Sequence, residues 1–289
     1  MKIKASKIPY VWLLPLLALL LIFVIFPLCY TAVYSLFDVN LRSLNNQSFI
    51  GMGNYFSLLA DASVLNSLQN SFFYLVFALI AETVLGIFLA LALKDKFIGR
   101  GVLLAILILP WALPPLVNGI IWRLIFDPTC GLWNDIFMKL GLIDGYKVWL
   151  NNPQLSKWLI TMVHVWKMLP LIVIIFLAKL QTLPEDQLEA ARIDGANYWQ
   201  VFRHITLPFI RPVLIITLAQ GTIAAFNLFD EPYIMTGTAL DTRSVLIQNY
   251  LVAFREMNLG SGMALSLLIS FISLVFMFVF IKMGGRKKV

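Results

Sequence analysis

VWLLPLLALLLIFVIFPLCYTAVYSL, residues 11–36, carries no Asp, Glu, Lys or Arg, and neither does any position between Lys7 and Asp38. A helix needs about 20 apolar residues to cross the hydrocarbon of a bilayer, and this stretch supplies them. The apolar region of a secretory signal runs only about 7–15 residues. Lys2, Lys4 and Lys7 therefore read as the flank of a retained span. Five more windows repeat the pattern. Charges are absent between Arg100 and Arg123, Arg211 and Asp230, and Glu256 and Lys282. Glu82 is the one charge between Asp61 and Lys94, and Lys167 the one between Lys157 and Lys179.

Composition agrees: 60% of the 289 residues are hydrophobic and 13% charged, against roughly half and a quarter in soluble domains. The expected fold is an all-α integral membrane protein of about six transmembrane helices, near 11–36, 70–93, 101–125, 158–179, 208–230 and 262–282. It forms a single transmembrane domain with a core of about 66–283. Pro110, Pro114 and Pro115 should kink or locally unwind the third span.

Positive charge sets the orientation. With the N-terminus inside, Lys2, Lys4, Lys7, Lys94, Lys96, Arg100, Lys179, Arg192, Arg203, Arg211, Lys282, Arg286, Lys287 and Lys288 are all internal. Both termini are then cytoplasmic, and Asn46 and Asp144 lie on outer loops. The net charge of +7 faces anionic membrane lipid, with no nucleic acid implied. Cys29, within the first span, is expected to pack as a small hydrophobe, and no bridge to Cys130 is expected. Two histidines, His164 and His204, offer no metal-ligand cluster. Trp133, Trp149 and Trp158 suit either the membrane interface or loop packing.

The segment 180–211 is too polar for the membrane and too patterned for a plain loop. Thr182 to Glu185 reads as a capping box with Pro184 in the first turn. Gly195 supplies a left-handed stop, and Asn197 with Gln200 caps a second helix. Phe202 and Ile205 share a face before Pro208 opens the next span. The expectation is a helix-turn-helix on the cytoplasmic surface.

Within it, Glu189-Ala190-Ala191, Gly195, Ile205, Leu207 and Pro208 match, at every spacing, the EAA loop of ABC importer permeases. Asp194-Gly195-Ala196 is the variant of the carbohydrate-uptake branch. Gly51-Met52-Gly53-Asn54-Tyr55, Leu109-Pro110, Trp122, Gly131-Leu132-Trp133-Asn134, Trp166 with Pro170, Ala225-Phe226-Asn227 and Phe229-Asp230 extend the resemblance over nearly the whole chain. The chain thus resembles the maltose- and glycerol-phosphate-type binding-protein-dependent permeases. It departs from them at Thr236-Gly237-Thr238-Ala239-Leu240, where relatives carry Thr-x-Gly-Gly-Pro.

The resemblance implies a non-enzymatic permease subunit of the bacterial cytoplasmic (inner) membrane, moving a sugar-like solute by alternating access. Implied partners are a second, different permease, two cytoplasmic ATPase subunits and an extracytoplasmic solute-binding protein. Glu189, Ala190, Ala191, Gly195, Ile205, Leu207 and Pro208 would couple to the ATPase. No Gly-x4-Gly-Lys-Ser/Thr stretch is present, so ATP and magnesium belong to that partner and no cofactor to this chain.

Polar residues inside spans mark pathways. Asn227, Asp230, Gln220, Lys167 and Asn118 are the candidate solute contacts, their groups suited to sugar hydroxyls. Glu231 stands beside them as a further polar residue of the same region, and helix–helix hydrogen bonding is the other reading of Asn227. A competing function is an ion-coupled secondary transporter with Glu82 and Lys167 as charge relay, although no internal repeat of the expected kind is evident.

Overall fold

The computed structural model describes residues 8–43 and 47–284. Lys2, Lys4, Lys7, Asn46, Arg286, Lys287 and Lys288 lie outside the described residues. Among the described residues, five helices are long and apolar enough to cross a membrane: Trp12–Tyr34, Ala62–Ala92, Pro153–Leu180, Tyr198–Thr236 and Leu259–Lys282. The pair Arg100–Ala112 and Pro115–Ile125, bent by 100°, makes a sixth where it is counted as one span. The prolines break this span outright. Leu113 is extended and Pro114 begins the second half, because neither Pro114 nor Pro115 has an N–H to continue the helix.

The elements are α1 (Ile8–Leu20), α2 (Phe26–Tyr34), a two-strand hairpin of β1 (Phe37–Asp38) and β2 (Ser48–Phe49), α3 (Gly53–Ala60), α4 (Ala62–Ala92), α5 (Arg100–Ala112), α6 (Pro115–Ile125) and α7 (Leu132–Lys139). These are followed by α8 (Pro153–Leu180), α9 (Glu185–Ile193), α10 (Tyr198–Val201), α11 (Leu207–Phe226), α12 (Asp230–Thr236), α13 (Val245–Tyr250) and α14 (Leu259–Gly284). They form two compact units, one of residues up to Ala62 with Asn249–Ser270, the other of Ser63–Gln248 with the remainder of the chain.

In the first unit, a five-residue π-helical turn, Leu21–Ile25, joins α1 to α2, and the Phe26 N–H reaches back to the Leu21 carbonyl. Pro27 follows. Its ring would press on the carbonyl four residues earlier in a regular helix, and the wider turn relieves that contact. Cys29 is exposed on this helix rather than packed, since the helix window here buries none of its residues within the chain. The Gly-Met-Gly-Asn-Tyr element explains itself at Asn54. Buried, it donates to the Ser35 and Phe37 carbonyls at 2.8 and 2.9 Å and accepts from Ser261 Oγ at 2.9 Å. Gly260 passes so close that a Cβ would stand 2.2 Å from the Phe37 oxygen.

In the second unit, α4 begins two turns earlier than hydropathy places it. Its first turns are polar, and they tie down the 240–245 loop. Asn70 Nδ2 donates to the Leu240 and Arg243 carbonyls, the Tyr74 hydroxyl donates to Thr242 O, and Val245 N–H donates to Ser71 Oγ. One apolar cluster joins α4, α8 and α11 through Ala90, Val173, Phe176, Leu180 and Ile210. A second gathers Tyr74, Phe126, Trp149 and Ile160, with Trp133 and Phe137 packed against it. Trp133 and Trp149 thus serve loop packing, whereas Trp158 remains 43% exposed beside Phe73 and Phe77.

Asn134 organises the loop between α6 and α8. It donates to the Asp127 and Lys147 carbonyls and accepts from Lys147 N–H and Trp149 Nε1. A Cβ on Gly131 would lie 2.3 Å from the Asp127 oxygen. Asp127 also accepts from the Thr129 hydroxyl and from the backbone N–H groups of Thr129 and Cys130, which hold its carboxyl down at about 2. Since unpaired buried polar groups cost about 1–3 kcal/mol each, Asn134→Leu, of similar volume, is expected to destabilise by at least that much. Thermal unfolding of the detergent-solubilised protein would read it.

Candidate solute pathway and coupling element

The polar segment folds as two short helices, with two corrections to the sequence reading. Thr182 does not cap α9. Its hydroxyl donates to the Lys179 carbonyl at 2.8 Å, finishing α8, and Pro184 takes the N-cap position. Pro208, for its part, does not open a separate span. From Tyr198 to Phe226 the chain is helical throughout, because a π turn at Phe202–Thr206 lets the Leu207 N–H reach the Phe202 carbonyl ahead of the proline. This repeats the device at Pro27.

Gly195 adopts φ +77°. The Gly195 N–H bonds to Arg192 O and the Ala196 N–H to Ala191 O, closing α9 in the pattern that satisfies its last carbonyls. Asn197 and Gln200 form a reciprocal capping box, with Gln200 N–H on Asn197 Oδ1 at 2.9 Å and Asn197 N–H on Gln200 Oε1 at 2.8 Å. Glu189, Ala190, Gly195 and Pro208 are exposed, and Ala191, Ile205 and Leu207 half-buried. Ile193, Tyr198 and Trp199, absent from the sequence-derived set, are 85%, 94% and 64% exposed. Large apolar side chains in an otherwise polar loop were the available signal.

The span that begins at Tyr198 breaks again at Asn227, Leu228 and Phe229, before α12. Asn227 is thus the C-cap of α11, its Nδ2 donating to Ile223 O at 3.0 Å. Gln220, seven residues earlier, is half-buried. Asp230 and Glu231 open α12. Buried Glu231 accepts from Lys167 Nζ at 3.3 Å and lies 3.8 Å from His164 Nδ1. On the other side of the imidazole, Nε2 is 3.5 Å from Glu82 Oε1. Four ionisable groups from α4, α8 and α12 therefore meet inside the protein. Lys167 pairs with Glu231, and Glu82 lies against His164 rather than against Lys167. His164 was missed because one histidine in an apolar helix carries no pattern of its own. Among the described residues no three such groups are placed to hold a metal ion.

Asn118 is buried on α6, with both ends of its amide lacking a hydrogen-bond partner among the described residues, and the same holds for Nε1 of Trp122 one turn on. The Trp122 ring packs edge-on against Trp166, the neighbour of Lys167, with centroids 5.4 Å apart. α6 lies tight on α12: a Cβ at Gly119 would be 2.8 Å from Ile234 Cδ1, and Arg123 donates to Ile234 O. Beyond the end of α12, Thr236, Gly237 and Ala239 line a cavity of about 540 Å3 with Arg123, Asn151 and Asp241. The departure at 236–240 falls here.

Membrane-length apolar helices, an internal charge cluster and a capped polar helix pair together mark a multi-pass membrane protein. A profile described as "binding-protein-dependent transport system inner membrane component" matches residues 82–283. The chain belongs to that family and is a permease subunit of an ABC importer. It is 36% identical to the trehalose/maltose transport system permease protein MalF of Thermococcus litoralis over 100% of this chain and 97% of the relative. It is 30% identical to the trehalose transport system permease protein SugA of Mycobacterium tuberculosis, over 98% and 91% of the two chains. A crystal structure of a bacterial ABC transporter involved in alginate import shares the fold, with TM-score 0.83 at 20% identity over 99% and 98% of the two chains. Nothing in these matches favours the ion-coupled transporter.

Removing one member of a buried ion pair costs about 3–5 kcal/mol. Lys167→Met is expected to lower the unfolding temperature, and Lys167→Met with Glu231→Gln to recover much of the loss. A double variant no more stable than Lys167→Met would show that the two residues do not act as a pair.

Proposed function

We propose that this permease carries a sugar or similar polyhydroxylated solute inward across the cytoplasmic membrane, driven by two ATPase subunits that hold ATP and magnesium, and beside a second, different permease. The observation that carries the reading is the unbroken helix from Tyr198 to Phe226. A partner gripping the exposed helix pair at Glu189 and Ile193 would move α11 as a rigid rod, and with it the break at Asn227. Glu189, Ala190, Ala191, Gly195, Ile205, Leu207 and Pro208 are the proposed coupling set. The family's dependence on a binding protein supports delivery of solute from the outer face.

The sugar class is supported by the names of the relatives above and of the arabinooligosaccharides permease AraP of Bacillus subtilis, 30% identical over 97% of this chain. It is supported also by the unpaired amide of Asn118 and indole N–H of Trp122, groups that a hydroxylated ligand would satisfy once the helices part. Gln220, Lys167, Asn227 and Asp230 complete the proposed contacts.

An unpaired buried amide is unfavourable, so Asn118→Leu should leave thermal stability unchanged or raise it. If Asn118 binds solute, the same change should raise the KM for uptake roughly tenfold to a hundredfold, equivalent to about 1–3 kcal/mol. Uptake across a panel of sugars by the assembled complex decides, and an unchanged KM would remove Asn118 from the site.

For coupling, left-handed backbone costs a residue with a Cβ about 1–2 kcal/mol, while Asn tolerates it. No atom lies within 4 Å of a Cβ at Gly195, so backbone strain alone is at issue. Gly195→Val should uncouple ATP hydrolysis from uptake, and Gly195→Asn should retain coupling. Both termini are proposed to be cytoplasmic. A membrane-impermeant thiol reagent should then label Asp144→Cys from outside in a Cys29→Ser/Cys130→Ser background, and labelling only after the inner face is opened would reverse the topology.

A further inference from the structure

An apolar groove follows α4 toward Lys94. Its first part, about 410 Å3, is lined by carbon-rich side chains that include Leu79 and Phe276. Thr83 and Val84 border both this part and a second of about 770 Å3, walled by Ile87, Phe88 and Leu91. Lys94 and Arg192 line that second part as well, with Tyr198 and Trp199 beside them. Neither cation forms an ion pair among the described residues.

At 1.5 Å per residue, α4 from Leu79 to its end at Ala92 measures about 20 Å, with Lys94 two residues beyond. That is the depth of one leaflet with its headgroups, half of about 40–45 Å. An occupant must therefore be apolar over most of that length, anionic at one end, and compatible with Trp and Tyr at the polar boundary. A helix from a second permease would fill the carbon-lined part and leave both charges unmet. An acidic protein segment would meet the charges and leave the apolar part empty. We propose that the groove binds one anionic phospholipid, its phosphate held by Lys94 and Arg192 and an acyl chain laid against Val84, Ile87 and Phe88. The inference rests on the chain being a membrane permease and not on which solute it carries.

Arg192 lies on α9 and Lys94 just beyond the end of α4, so a bound headgroup would bridge the proposed coupling helix and the bundle. The test uses the intact importer complex in phosphatidylcholine nanodiscs. Either brominated phosphatidylglycerol or brominated phosphatidylcholine is added at low mole fraction. The Trp199 signal is isolated by difference from Trp199→Phe. Quenching should be selective for the brominated phosphatidylglycerol. At about 1 kcal/mol per basic residue, Lys94→Gln/Arg192→Gln should reduce that selectivity about thirtyfold, while Lys94→Arg/Arg192→Lys should keep it. Equal quenching by the two lipids would mean unselective boundary lipid. Absence of quenching by either would mean that a protein subunit covers the groove. Selectivity surviving the Gln variant would place the anion elsewhere. Each of these three results overturns the proposal.

Discussion

Inside hydrocarbon the backbone has no water to bond with, so every N–H and C=O must be satisfied by the protein. Proline repeatedly removes a donor from that scheme, and much of this fold is the response. Ahead of Pro27 and Pro208 the helix widens by a π turn and continues. At Pro114 and Pro115 it gives way and turns by 100°. At Asn227 it ends without a proline, and the asparagine's own amide supplies the missing cap. The elements that would move in transport lie beside these interruptions, where backbone geometry departs from the regular helix.

The same scarcity of water governs the charges. Glu82, His164, Lys167 and Glu231 would each be costly alone in the membrane, and they lie together where α4, α8 and α12 meet. This cluster ties the short helix after the break to the long helices that never break. Such a pairing fixes position more surely than it adds stability, since desolvation offsets much of the attraction.

The spans and the helix pair were legible in the sequence because both rest on local rules: uninterrupted apolar length, caps at fixed offsets, and glycine where the backbone turns left-handed. Gly195 and the Asn197–Gln200 box follow from such rules directly. The polar start of α4 escaped because hydropathy sees only the apolar portion of a helix. Thr182 misled because a hydroxyl can finish one helix as readily as begin the next. Continuity through Pro208 was not legible, since a π turn leaves no residue signature. Pairings across distance, Lys167 with Glu231 and His164 with Glu82, depend on which helices are neighbours. Asn54 and Asn134 stood in the quoted motifs, and only the structure shows that they clasp loops.

The π turn at Phe202–Thr206 has a consequence for azimuth. Each residue of an α-helix advances the side-chain direction by about 100°, and a π turn accommodates one extra residue without ending the helix. Every side chain beyond it, Gln220 included, is therefore rotated about the axis relative to Tyr198 and Trp199 by roughly that angle. Tightening this turn to α geometry with all its residues kept would rotate the membrane-embedded face away from its present neighbours, whereas deleting one residue would let the turn close as ordinary helix and keep the phase. The phase between the exposed end of the rod at Tyr198 and the face that lines the bundle is set within these five residues.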